Sequence, residues 1–122
     1  MSLPCIHIYA DAKGESHFGD TTIDMTSVDF APPAPAVDLS EIRDAGFGFV
    51  QAPVGWFGDW HPAPRKQIMC ILSGSLEVQV SDGEHRTIVS GNIVLVEDTT
   101  GKGHVTRALG HEPVLMTVAQ VD

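Results

Sequence analysis

Apolar and polar side chains alternate with a period of two through most of the second half of the chain, and no helical period is sustained anywhere. Residues 67–72 put Gln67, Met69 and Ile71 on one face and Ile68, Cys70 and Leu72 on the other, which predicts a strand covered on both sides. Ser73, Gly74 and Ser75 turn the chain into a partner strand. There Leu76, Val78 and Val80 alternate with Glu77 and Gln79, so one face is wet. Asp82-Gly83 is a strong hairpin signal, and residues 86–89, a Ser90-Gly91-Asn92 turn and residues 93–96 continue the meander. Residues 104–109 and 114–121 complete it. Upstream, residues 6–9, 21–25 and 45–51 read as short strands, the last with Phe47 and Phe49 on one face, and there is room for another near His17. Nine or ten short strands with frequent turns predict an antiparallel sandwich or closed barrel.

Two segments break this pattern. Pro32, Pro33 and Pro35 keep residues 29–40 out of any ladder or helix interior, so that stretch is expected to run as an extended surface arm. Residues 38–44 could close one helical turn capped by Asp38 or Ser40, although no apolar repeat prolongs it.

With 122 residues the chain fits a single domain, residues 1–44 forming N-terminal strands and the proline-rich arm ahead of a barrel over 45–122. A formal charge of −9 sets the chain against phosphate backbones and anionic lipid, so neither nucleic acid nor a membrane is an expected partner. Two cysteines, Cys5 and Cys70, make no disulfide framework, and no basic-then-apolar leader or long apolar run is present; a soluble cytoplasmic protein is expected.

Candidate chemistry concentrates in residues 55–74 and around residue 104. Gly55, five residues, His61, one residue, Ala63, three residues, Gln67, six residues and Gly74 define the first constellation. The second contains Gly101 and His104, with Thr99 and Ala108 on either side, and sixteen residues separate Gly74 from Gly91. These spacings resemble the two motifs of small single-domain cupins, in which the first motif carries His-x-His and a glutamate and the second a further histidine. Ala63 stands at a histidine position, Gln67 at the glutamate and His104 at the second-motif histidine. The resemblance implies an all-β antiparallel barrel or jelly roll, a double-stranded β-helix, and a homodimer. It also implies a site for a divalent transition metal such as Fe, Ni, Zn or Mn. Such folds host dioxygenases, isomerases, sensors and storage proteins, so the resemblance names a place rather than a reaction.

On their own chemistry, two imidazoles on different strands can meet inside a barrel and hold a metal, with Gln67 as a weak neutral third ligand. Equally, His61 and His104 can be pocket histidines hydrogen-bonded through water to each other, to Gln67 or to a bound acid, and able to move protons. The pocket is expected to include Ala63, Met69, Trp60 and Arg65, with Ala63 leaving an open position. Trp56, Phe57 and Trp60 could stack on a ligand at the mouth, and Arg65, Lys66, Lys102 and Arg107 could draw in an anion. By alternation Lys66 and Arg107 point outward if Gln67 and His104 point inward. His85 and His111 are expected in solvent, and His7 and His17 on the N-terminal strands. The functional readings are a metal-dependent cupin binding or transforming a small organic, anionic molecule, a metal-free binding or sensing module, and a structural dimer.

Overall fold

The computed structural model describes residues 1–122, and all its regular structure is β. The strands are β1 (Ser2–Ala10), β2 (Ser16–Asp24), β3 (Thr26–Val28), β4 (Val37–Leu39), β5 (Gly46–Ala52) and β6 (Phe57–His61), followed by β7 (Gln67–Ser73), β8 (Ser75–Val80), β9 (His85–Val89), β10 (Ile93–Val96), β11 (His104–Leu109) and β12 (Val114–Gln120). A six-stranded sheet ordered β2-β1-β10-β7-β12-β5 faces a four-stranded sheet ordered β6-β11-β8-β9, and β3 and β4 form a separate ribbon. This is an all-β fold of two facing sheets, the sandwich that the strand pattern predicts. No helix long and apolar enough to cross a membrane is present.

Three expectations are corrected. The sheets do not close into a barrel through backbone pairing. Along the seam between edge strands β2 and β9, side chains do the joining: Arg86 donates to both Asp20 carboxylate oxygens at 2.8 and 3.3 Å and stacks 4.9 Å over Phe18. At the end of that seam the fully buried Ser16 exchanges hydrogen bonds with Ser81 and donates to the Gly103 carbonyl at 2.6 Å. Secondly, the pairing is not wholly antiparallel, because β1 runs parallel to β10. No hairpin joins these two strands, so no tight turn dictates their direction.

Thirdly, residues 38–44 form no helical turn: Asp38 pairs with Ser27 in the β3–β4 ribbon, and residues 40–45 carry no regular structure. The reason is reach. The chain must pass from β2 to β5 at opposite edges of the six-stranded sheet, five strand spacings or roughly 24 Å apart, and an extended chain covers that more readily than a compact turn. On the way, Ser40, Glu41 and Arg43 share a groove on the sheet's outer face with Leu3, Ile68 and Ile93.

The core is one cluster between the sheets, to which β8 contributes Leu76, Val78 and Val80, as its alternation predicts. From β7, Ile71 is buried inward, while outward Cys70 is only half-buried and Leu72 is exposed. That outer face is therefore less covered than its composition suggests. Phe47 and Phe49 share the outer face of β5 and pack edge to face at 5.3 Å, both largely exposed.

Candidate binding site at the histidine end of the sandwich

The two sheets enclose a cavity of about 160 Å3, and 11 of its 15 lining residues are hydrophobic, so it is an apolar chamber with a few polar groups. The six-stranded sheet supplies Ile8, Val50, Met69, Ile71, Val94, Val96 and Met116; the four-stranded sheet supplies Leu76, Val78 and Ile88. The polar groups are His61 from β6, Gln67 from β7, and His104 and Thr106 from β11. Alternation along β11 explains why His104 and Thr106 face inward while Arg107 lies outside, its guanidinium 5.4 Å from the centre of the Phe57 ring.

His61 and His104 are directly opposite in the β6–β11 pairing, with ring centres 4.7 Å apart. Backbone geometry at one residue permits this closeness. Gly103 has φ +73°, and a Cβ there would overlap the His61 carbonyl.

The hydrogen bonds fix how each ring presents itself. His61 Nδ1 lies 2.6 Å from the Asp59 carbonyl, which can only accept, so Nδ1 carries a proton and in the neutral ring Nε2 keeps its lone pair. His104 Nδ1 lies 2.5 Å from Asp98 Oδ2 and donates to that carboxylate, again leaving Nε2 for the cavity. Gln67 directs its amide nitrogen to the Met69 sulfur at 3.7 Å, which leaves its Oε1 as a third acceptor. No cluster of three or more His, Cys, Asp or Glu side chains is placed to hold an ion, so a third protein ligand would be an uncharged group of the lining, of which Gln67 Oε1 is the hard oxygen donor.

Asp98 was not singled out by the sequence, where it only ends an apolar run. It is fully buried; one oxygen serves His104 and the other, Oδ1, has no partner. An unpartnered buried polar atom costs roughly 1–3 kcal/mol, more when charged, and a positive charge on the far side of His104 would offset that of the carboxylate while leaving Oδ1 without a partner. The loop after β10 fixes Asp98 through backbone bonds, Glu97 N–H to the Ile8 carbonyl at 2.7 Å and Ala63 N–H to the Asp98 carbonyl at 2.9 Å. The only sequence signal was an acid six residues before His104 in a glycine-bearing loop.

Of the expected pocket residues, Met69 lines the cavity together with the expected ligands His61, Gln67 and His104. Ala63, Trp60 and Arg65 do not, and their pocket assignment is corrected. Ala63 lies past the end of β6, its methyl buried in the core. Trp60 alternates with His61 along β6 and is turned outward, 46% exposed. Arg65 reaches across to the Asp122 carboxylate at 3.2 Å. The tryptophan that does line the cavity is Trp56, whose ring folds back over Gly58: a Cβ there would stand 2.5 Å from it.

No family model matches the chain, and no curated protein matches it in sequence. Among solved structures it is similar to the cupin domain of Schizosaccharomyces pombe Cnp3, at 18% identity over 99% of this chain and 84% of that one, with a TM-score of 0.49. A conserved Streptococcus pyogenes protein of unknown function is 23% identical over 69% of this chain and 71% of its own, with a TM-score of 0.47. A candidate ethanolamine utilization protein Q from Salmonella typhimurium is 17% identical over 98% and 97%, also at 0.47.

Proposed function

We propose that this protein binds a divalent transition metal through His61 and His104, with Gln67 Oε1 as a weak third ligand, and presents it to a small organic molecule held in the apolar cavity. The observation that carries the reading is the state of the two rings. Each donates from Nδ1 to a fixed protein acceptor and keeps an Nε2 lone pair for the cavity. Metal-ligating histidines characteristically have this support, since the outer hydrogen bond sets the tautomer and strengthens the donor nitrogen. The buried, half-satisfied Asp98 carboxylate fits an ion beyond His104, whose charge would offset its own.

Two imidazoles and a carboxamide form a neutral, low-count donor set, suited to Fe, Ni, Zn or Mn with coordination positions left open. When bound, the ion supplies Lewis acidity to a ligand oxygen. The chain's own residues exclude water with the apolar walls, orient the ligand, and can carry a proton on an imidazole as a metal-dependent enzyme of isomerase or dioxygenase type requires.

A second reading, metal-free capture of a small molecule, draws on the cavity's mainly hydrophobic lining. Elemental analysis separates the two. Protein purified without an affinity tag and dialysed against each metal should hold close to one equivalent of at least one of them, and His61→Ala and His104→Ala should fall below about a tenth of that. Wild-type protein that takes up no metal, or variants that keep it, would sink the metal reading.

A further inference from the structure

The cavity lining contains no Lys, Arg, Asp or Glu. The cations that the sequence offered for drawing in an anion are engaged elsewhere. Arg65 sits 3.2 Å from Asp122, Lys66 3.7 Å from Glu97, and Lys102 2.8 Å from Glu15, while Arg107 lies over Phe57. The carboxylate that does approach the chamber is Asp98, buried directly behind His104. In the metal-free chamber an anionic ligand would therefore shed its hydration, meet no side-chain cation and face a negative charge through one imidazole.

Of the four polar groups, three offer acceptors, Nε2 of His61, Nε2 of His104 and Oε1 of Gln67, and the fourth, the Thr106 hydroxyl, can take either part. Their complement is a donor. The rest of the chamber offers apolar surface of a definite kind, with the thioethers of Met69 and Met116 and the indole of Trp56, groups that favour a flat, polarisable ring. In size, 160 Å3 is comparable with the roughly 150 Å3 apolar cavity that accommodates benzene, so a ligand of about six to eight heavy atoms fits.

We infer that the ligand is an uncharged, ring-sized molecule, apolar except for one hydroxyl, which is presented to the His61–His104–Gln67 end as a phenol would present it. The inference rests on the site proposed above but not on the ion. Without metal the hydroxyl donates to an imidazole Nε2, and with metal bound there its oxygen is the group on which the ion would act.

The test titrates phenol, toluene, benzoate and benzylamine into a Trp60→Phe variant, in which Trp56 is the sole remaining tryptophan. It is run on chelator-treated and on zinc-dialysed protein. Phenol is expected to saturate the Trp56 fluorescence change at least tenfold more tightly than the other three in both samples. On wild-type protein carrying labelled methionine methyls, phenol should shift Met69 and Met116, which line the chamber, and leave Met25, which lines the outer groove. Benzoate or benzylamine binding as tightly as phenol would overturn the uncharged class, and toluene doing so would remove the hydroxyl. No saturable phenol signal, or a shift at Met25 instead, would overturn the inference outright. Tight benzoate binding that appears only with zinc ends the substrate class and leaves the metal reading standing. Phenol binding by protein that takes up no zinc does the reverse.

Discussion

Two groups of histidines lie in this small sandwich, and they differ in whether a ring nitrogen is left free to face the chamber. On the surface, His17 has both nitrogens committed, to Asp11 and Asp82, each at 2.8 Å. It is a cross-brace between the β1–β2 loop and the β8–β9 turn, with no nitrogen left for a ligand. Its neighbour His7 spends Nε2 on Glu97 at 3.1 Å and lies 4.9 Å from the Tyr9 ring. Inside, His61 and His104 each give up Nδ1 alone. A histidine is available for chemistry when the protein holds one side of its ring and leaves the other facing a chamber; two carboxylates close by turn it into a structural ion pair.

The largest expected way to break this contrast is Gly103→Ala. The new Cβ overlaps the His61 carbonyl at a left-handed backbone position, so β6 must leave β11. A stability loss of roughly 3 kcal/mol or more should accompany loss of metal uptake. Gly83→Ala, also left-handed but with open space around it, should lose only about 1 kcal/mol in the same denaturant titration and keep its uptake. Equal losses would mean that the close approach is unimportant.

Asp98→Asn comes next. It keeps a group able to accept from His104 Nδ1 and removes the buried charge, so the metal-free protein should be at least as stable as wild type while metal affinity drops about 10- to 100-fold. Competition with a chromogenic chelator reads the affinity. If it is unchanged, Asp98 is a structural acid and nothing more.

The surface cluster should respond to pH instead. Hydrogen bonds to Asp11 and Asp82 raise the His17 pKa above its usual value near 6.5. Its stabilising contribution is therefore complete below about pH 6.5 and fades as pH rises through the raised folded value. The His17 bond, then backbone N–H groups, lower Asp11, and the Glu84 N–H, then His17, lower Asp82; the contribution of both is complete above about pH 4 and fades as pH falls through their lowered values. Wild type should lose stability relative to His17→Gln on moving from pH 5.5 to 8.5, read by thermal melts in one buffer series. Metal uptake of the variant should match wild type, and a deficit there would join the two histidine groups after all. The smallest effect is expected at the seam, where Arg86→Met should cost about 1 kcal/mol or less, since its ion pairs are largely in water.

Much of this was legible in the sequence because period two is a local property. β8 announces its inward face, whereas β7 and β10, apolar on both faces, announce only a strand, and the motif spacing points to Gln67, His61 and His104. What escaped depends on partners remote in sequence or on loops. Nothing local makes β1 run parallel to β10, and nothing marks the β2–β9 seam as a place where side chains replace backbone bonds. Asp98 sits in a loop, where no periodicity says which way a side chain turns. Trp60 and Arg65 were drawn toward the pocket by nearness to His61, yet adjacency along a strand sends neighbours to opposite faces, so Trp60 was excluded by the rule that placed His61.

Ile8, Ile71, Val78, Ile88, Val94 and Met116 belong both to the buried core and to the chamber wall. A larger protein can devote separate side chains to holding itself together and to choosing what it holds; this one has a single interior for both. A methyl group trimmed there loosens the fold and enlarges the chamber in one step, so drift in thermal tolerance would carry drift in ligand choice with it.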